Sequence, residues 1–328
     1  MKIAVLGVGR IGAMHADLIQ NHVVGAEVAG VFDVFDGAAA EVASRLGVRR
    51  FDSANAALAS DADAVAICTS TPTHVDLIVQ AADAGKAIFC EKPVSLDLDE
   101  VDRGLAAVAE ANVPLHIGFN RRFDPSHAAV QRAVADGEVG ELRQLRISSR
   151  DPEPPPLDYV KVSGGIFLDM TIHDFDMARF VSGSEVVEVN ATGAVMVDDA
   201  IGQAGDFDTV TVMLTHKNGT VTTIDNCRQS AFGYDQRVEA FGSLGMATSE
   251  NHTATSMVKR TAAGSLGDVV PHFFLERYIP SYVHQWQQFI EAVVEDQPTP
   301  VTGVDGRAPL VIGLAAKQSA ESGLPVTL

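Results

Sequence analysis

The amino-acid sequence predicts an α/β domain on a parallel, doubly wound sheet, followed by an α+β domain with an open, mostly antiparallel sheet. Three observations carry this reading. Over residues 1–119 short apolar runs alternate with amphipathic stretches, the rhythm of βα units. A glycine-rich turn follows the first of those runs, and beyond residue 120 the apolar pattern changes to a period of two. Because 328 residues exceed what one hydrophobic core commonly supports, the change of period is read as a domain boundary, giving domains 1–119 and 120–328.

Five strands are expected in the first domain, at 2–8, 27–33, 64–69, 87–91 and 114–119. Helices are expected between them at 11–20, 38–46, 72–84 and 98–111, several opened by Asp, Ser or Pro residues that suit helix starts. The acidic run Asp97, Asp99, Glu100 and Asp102 fits a helix N-terminus, where negative charge meets the positive end of the dipole.

Period-two alternation at 142–150, 185–197, 208–216 and 220–228 reads as antiparallel sheet. Asn218-Gly219 between the last two runs signals a tight hairpin, since both residue types tolerate positive φ. The proline-rich piece 151–159 can be neither central strand nor helix, and is expected to be an ordered loop over a site or interface. Two helices close the chain at about 281–295 and 305–322, the last ended by Gly323 and Pro325.

Hydrophobic residues make up 46% and charged residues 20%, the composition of a globular protein. Acidic side chains number 43 against 24 basic, a formal net charge of −19, so a nucleic-acid backbone or an anionic membrane face would be repelled. Cys68, Cys90 and Cys227 are odd in number and far apart, which suggests neither a disulfide framework nor a zinc site. The start MKIAVLG passes directly into the glycine turn with no signal-peptide pattern, and no apolar run approaches the roughly 20 residues of a membrane helix. A cytoplasmic location is therefore expected.

The glycine turn reads Gly7-Val8-Gly9-Arg10-Ile11-Gly12, placed after a strand and before a helix. In that context each glycine serves a separate purpose, with a tight turn at Gly7, close approach of a pyrophosphate at Gly9 and close helix–strand packing at Gly12. The helix start adds free N–H groups that face the phosphates. This is the Rossmann dinucleotide fingerprint; a plain glycine turn of another α/β protein is the alternative. Asp33 ends the second strand, 21 positions beyond Gly12, where a carboxylate accepts from the adenosine ribose hydroxyls. It favours NAD over NADP, because Val34-Phe35-Asp36 supplies no cation for a 2′-phosphate. A surface Asp capping a turn would look the same.

Cys90-Glu91-Lys92-Pro93 ends a parallel strand, the end at which ligands of doubly wound sheets collect. By itself Lys92 is equally a solvated charge at a strand end. If 167–180 is helical, Asp169 and His173 share one face at i and i+4, with Asp176 almost a turn beyond. That spacing also fits a surface pair. His15, His22, His116, His127, His216, His252, His272 and His284 are scattered and read as structural or surface residues. Trp286, Phe289, Ile290 and Val293 form a helical stripe that reads as core or subunit interface.

Taken together, GVGRIG at 7–12, EKP at 91–93, GFNRRF at 118–123 and GGxxxDxxxHDxD at 164–176 resemble the Gfo/Idh/MocA oxidoreductase family across essentially the whole chain. Residues 148–180 are similar in particular to its inositol-oxidising branch. The resemblance implies an NAD-binding Rossmann domain and a substrate-binding domain whose open sheet often mediates homotetramers, with the active site between the domains. It further implies that Lys92 hydrogen-bonds the reacting hydroxyl, His173 acts as general base, and Asp169 orients His173. Gly7, Gly9, Arg10, Ile11, Gly12, Asp33, Thr71, His74, Glu91 and Lys92 would meet the cofactor, and Asn120, Arg122, Asp151, Asp169, His173 and Tyr234 the substrate.

The implied reaction is oxidation of a ring secondary hydroxyl, myo-inositol to 2-inosose (scyllo-inosose), with another inositol isomer or a sugar such as D-glucose as the alternative substrate. A non-catalytic NAD(H)-binding sensor or corepressor is the second alternative, disfavoured because Lys92, Asp169 and His173 are all present. Removing hydride from a carbinol requires its hydroxyl proton to leave at nearly the same time, and a histidine titrates in the range a base needs. The set implies no metal.

Overall fold

Strand β1 (Lys2–Leu6) is buried along its last four residues, and its neighbours are short apolar runs of the same kind. The computed structural model describes residues 1–328 and divides into two compact units, Met1–Asn120 with Pro280–Leu310 and Arg121–Ile279 with Val311–Leu328. The change of period in the sequence places 280–310 with the second domain; in the structure those residues cluster with the first unit.

In the first unit α1 (Arg10–Asn21), β2 (Glu27–Phe32), α2 (Asp36–Leu46) and α3 (Ala54–Leu58) precede β3 (Ala64–Ile67) and α4 (His74–Asp83). They are followed by β4 (Ala87–Cys90), α5 (Leu98–Ala111) and β5 (Leu115–Ile117). The five strands pair in parallel in the order β2-β1-β3-β4-β5. Strand order reverses between β1 and β3, so the ends of those strands form the switch point at which such sheets bind ligands. β3 and β4 are buried at every residue, as expected of strands covered on both faces. Five-residue α3 is not evident in the sequence because it is too short to show a period; the Ser53 hydroxyl caps it by accepting from the Ala56 N–H at 3.0 Å.

The second unit holds α6 (Pro125–Ala135), β6 (Leu142–Arg150), α7 (Leu157–Val160), α8 (Ile166–Asp169), α9 (Ile172–Ser182) and β7 (Val186–Ala194). Then come α10 (Asp199–Gln203), β8 (Thr209–His216), β9 (Val221–Cys227), β10 (Asp235–Gly242), β11 (Met246–Ser249) and an exposed hairpin of β12 (Val258–Thr261) and β13 (Gly264–Gly267). Helices α11 (Phe274–Val294) and α12 (Gly303–Ser322) and strand β14 (Val326–Thr327) end the chain. Seven strands pair in the order β11-β10-β6-β9-β8-β7-β14, and β6 with β9 is the one parallel pair. Leu145, Ile147, Val212, Leu214, Ile224 and Val238 turn inward and pack with Phe175, Ala178 and Val181 of α9 and Ile312 and Ala316 of α12.

Four expectations change in detail. The piece expected to be loop throughout 151–159 becomes helical at its end, where α7 begins at Leu157 directly after Pro156, the last of the prolines. The strand expected to run to 197 stops at Ala194, because the Asp208 carboxylate accepts the N–H groups of Met196, Val197 and Asp198 at 2.8, 2.8 and 3.0 Å. At the β8–β9 turn only Gly219 takes positive φ (+87°), while the Asn218 side chain accepts from the Thr220 N–H at 3.1 Å. The single helix expected over 167–180 is broken at Met170–Thr171. The Thr171 N–H reaches back five residues to the Ile166 carbonyl at 2.9 Å, and Asp174 then reaches back only three, to Thr171.

Candidate active site

Gly7 has φ +83°, and a Cβ there would stand 2.7 Å from the carbonyl carbon and oxygen of Cys68, just past β3. A Cβ on Gly12 would lie 1.8 Å from the Gly7 oxygen, so the first turn of α1 rests on the turn itself. Gly9 differs: nothing lies within 4 Å of where its Cβ would be. Gly9 is the N-cap of α1, its helix start has no side-chain cap and no acidic residue in the first turn, and Arg10 and Ile11 open the helix. Its first N–H groups therefore have no side-chain cap, with the positive end of the dipole behind them. Asp33 stands beside this turn, accepting from the Val8 N–H at 2.7 Å through Oδ2 and from the Phe35 N–H at 2.8 Å through Oδ1.

Thr71 opens a short 3-10 turn that leads into α4. His74 is buried, with Nδ1 2.9 Å from the Pro93 carbonyl and Nε2 3.0 Å from the Thr69 carbonyl. The ring is thus engaged by backbone on both sides; the Lys92–Pro93 peptide just before one of these carbonyls is cis. Glu91 accepts the Lys92 N–H at 3.2 Å through Oε2 and meets the His15 ring at 2.7 Å through Oε1. Asn120 is buried and its Nδ2 has no hydrogen-bond partner.

In the second unit, Asp169 ends α8 and His173 lies in the first turn of α9. Asp169 accepts from the Tyr159 hydroxyl at 2.9 Å through Oδ1 and from Arg228 Nη1 at 3.3 Å through Oδ2. Arg228 is almost wholly buried and also faces Asp206 at 3.7 Å. Half-buried Asp151 is pushed up to about 6 by loss of hydration, which Asp169 reinforces and the Arg228 guanidinium opposes.

The two arginines of GFNRRF divide their work in a way the motif does not reveal. Arg122, expected at the substrate, forks onto Asp176, its Nε 2.9 Å from Oδ2 and its Nη2 2.6 Å from Oδ1. Arg121 bonds Asp174 at 2.6 Å and lies 3.5 Å from the hydroxyl of buried Tyr234, which places Arg121 rather than Arg122 beside that expected pocket residue. The Asp174 carboxylate also accepts from Ser149 at 2.7 Å and Asn226 at 2.8 Å, so the buried charge pair is fully hydrogen-bonded. Arg121, Tyr159 and Arg228 are not singled out by the sequence patterns. Tyr159 carries a signal in its place in the proline-rich loop and Arg121 in its place within GFNRRF; Arg228 carries none.

Two family models match the chain. One, described as an oxidoreductase family with an NAD-binding Rossmann fold, covers residues 1–119; the other, the GFO/IDH/MocA C-terminal domain, covers 127–248. The chain belongs to the Gfo/Idh/MocA oxidoreductase family. Among curated members it is similar to the myo-inositol 2-dehydrogenase of Thermotoga maritima, 46% identical over all of this chain and 98% of the relative. It is also 46% identical to the inositol 2-dehydrogenase of Rhizobium meliloti, over 97% of this chain and 96% of that one. Of solved structures, a probable dehydrogenase from Thermotoga maritima superposes with a TM-score of 0.97 at 45% identity, covering 100% and 98% of the two chains. A scyllo-inositol dehydrogenase from Lactobacillus casei, solved with NAD(H) and scyllo-inositol, gives 0.93 at 27% identity with the same coverage.

Family membership makes NAD the cofactor of this oxidoreductase, and the residues present fit it. The space in front of Gly9 admits a pyrophosphate against the open α1 start, where any side chain would narrow the approach. Asp33 keeps lone pairs beyond the two backbone N–H groups it accepts, available to ribose hydroxyls. No helix is long and apolar enough to cross a membrane.

Proposed function

We propose that the chain oxidises myo-inositol at a ring secondary hydroxyl to 2-inosose (scyllo-inosose) with NAD⁺. The bound nicotinamide supplies the hydride acceptor. Lys92 hydrogen-bonds the reacting hydroxyl, His173 removes its proton, and Asp169 orients the imidazole. The observation that carries this reading is the environment of Asp169: both its oxygens accept hydrogen bonds, from Tyr159 and Arg228, which hold the carboxylate just before the Met170–Thr171 break that leads into the helix bearing His173. A carboxylate so braced has one orientation, as the orienting partner of a general base requires. Relatives bearing the name inositol 2-dehydrogenase at 46% identity support the substrate. Asp151 and Tyr234, with Asn120, supply polar contacts to the ring hydroxyls.

Scyllo-inositol is the second substrate to weigh, since a Bacillus subtilis relative named scyllo-inositol 2-dehydrogenase is 35% identical over the whole chain. Initial rates of NADH formation with myo-inositol, scyllo-inositol, D-chiro-inositol and D-glucose, each with NAD⁺ and NADP⁺, test the proposal. Myo-inositol with NAD⁺ is expected to give the highest kcat/KM, and absence of turnover on every polyol would leave a sensor as the better reading.

Residues 1–119 are assigned to NAD, and 120–328 to the substrate and to subunit contact. The protein acts in the cytoplasm as a homotetramer. Free Cys68, Cys90 and Cys227 suit a reducing compartment, and exposed Met213, Phe241 and Met246 on the seven-stranded sheet supply apolar surface for self-association. Light scattering checks the assembly: any mass other than that of four chains would end that assignment.

A further inference from the structure

His15 lies on α1 and is wholly buried, where neither solvent nor polyol reaches it. Its ring packs edge-on against Phe89, Tyr282 and Trp286, with centroids 5.2, 5.4 and 5.7 Å away. The Trp286 indole donates to His15 Nδ1 at 2.9 Å. An indole nitrogen can only donate, so Nδ1 accepts; an imidazole that accepts at one nitrogen carries its proton on the other. Nε2–H therefore donates to Glu91 Oε1 at 2.7 Å, a hydrogen bond from a neutral ring rather than an ion pair. The other oxygen of Glu91 accepts the Lys92 N–H at 3.2 Å. The carboxylate is seated over Gly118, where a Cβ would come 3.0 Å from its carbon and both oxygens. One donor-to-acceptor order thus runs from Trp286 through His15 to Glu91, where it meets the backbone of Lys92, and the indole fixes its direction.

We propose that Trp286 and His15 are positioning residues for Lys92, holding the backbone of residue 92 through Glu91. The inference rests on the assignment of Lys92 to the reacting hydroxyl. Without the indole N–H the imidazole can carry its proton on Nδ1 and turn a lone pair toward Glu91. The carboxylate then swings away and the Lys92 backbone loses its anchor. A displacement of about 1 Å at a reacting group costs on the order of 10²-fold in rate.

Trp286→Phe keeps an aromatic ring against Phe89, which stacks on the indole at 4.2 Å, and removes the N–H together with part of a buried ring, so the two His15 variants, which leave the indole in place, separate the loss of the hydrogen bond from the loss of packing. With NAD⁺ and myo-inositol, this variant is expected to lose roughly 10- to 100-fold in kcat, with KM for the polyol and Kd for NADH within about threefold of the parent. His15→Gln, whose amide can accept from the indole and donate to Glu91, should stay within about fivefold, while His15→Leu falls with Trp286→Phe. Thermal unfolding and NADH titration establish that each variant is folded. An unchanged kcat in Trp286→Phe, or equal kcat in the Gln and Leu variants, would show that the two rings only fill space and would overturn the proposal. If His15→Leu does not fold, Trp286→Phe and His15→Gln decide alone. In a Lys92→Ala background Trp286→Phe should cost nothing further; a full additional loss would mean the chain does not act through Lys92. Near-normal turnover of Lys92→Ala by itself is a different failure, that of the role given to Lys92.

Discussion

Asp151 carries opposing demands in one side chain. Burial favours its neutral form and raises it to about 6, yet the proposed contact to ring hydroxyls is strongest with the carboxylate, which only accepts. A raised carboxylate costs stability above its folded value and nothing below the ordinary one, so the cost develops as pH climbs from about 4 through 6. Asp151→Asn is therefore expected to be more stable than the parent at pH 8, by on the order of 1–2 kcal/mol, with the gain vanishing toward pH 4. Chemical denaturation at the two pH values measures it. The parent's kcat/KM is expected to rise with pH through about 6 as Asp151 ionises, and the same variant to lose that contribution along with much of its activity. Lys92, Asp169 and His173 are legible as residue types in a pattern. The division between Arg121 and Arg122 is not, because adjacent residues point to different sides and only the fold reveals which side holds Asp176.

Among the elements, α7 and α1 carry the contacts on which the proposed chemistry depends. Tyr159 of α7 is half-exposed, so its ring contributes little packing while its hydroxyl braces Asp169 at 2.9 Å. Tyr159→Phe is expected to lower kcat several-fold and leave the melting temperature within about 1 °C, since one exposed hydrogen bond adds little to stability. Thermal scanning alongside steady-state rates separates the two effects. In α1, Gly12→Ala would put a methyl group 1.8 Å from the Gly7 oxygen, so helix and turn must part. NADH titration should show its affinity reduced by at least roughly 100-fold, the scale expected when the phosphate-binding backbone is displaced. The βα rhythm of the first unit and the alternation of β6, β8 and β9 can be read directly, because burial on two faces or one imposes those periods. Elements of four or five residues such as α3, α7 and α10 cannot, having less than two turns in which to express a pattern. The break at Thr171 is hidden for another reason: it depends on hydrogen bonds to the Ile166 carbonyl from both the backbone and the hydroxyl of one threonine, and a helical wheel records neither.

At the scale of the whole chain, the decisive feature is that residues 280–310 complete the first unit. Trp286, Phe289 and Ile290 share a core with Val5, Ala66 and Phe89, and Phe89 stacks on the indole at 4.2 Å. The helical spacing of this aromatic stripe points to a core, and only the fold shows whose core it is. A fragment of residues 1–119, the span the dinucleotide fingerprint would suggest cutting, is therefore expected to lack cooperative unfolding. Adding 280–310 through a flexible linker should restore a sharp transition and NADH binding, as followed by circular dichroism and fluorescence.

That arrangement bears on how the protein comes into being. A ribosome delivers β1 through β5 first, but the tryptophan their sheet requires leaves the exit tunnel only after residues 121–279 have been made. The cofactor-binding unit must wait, partly formed and with apolar surface uncovered, until residues 280–310 have been made. During that interval the nascent chain is a natural client for chaperones.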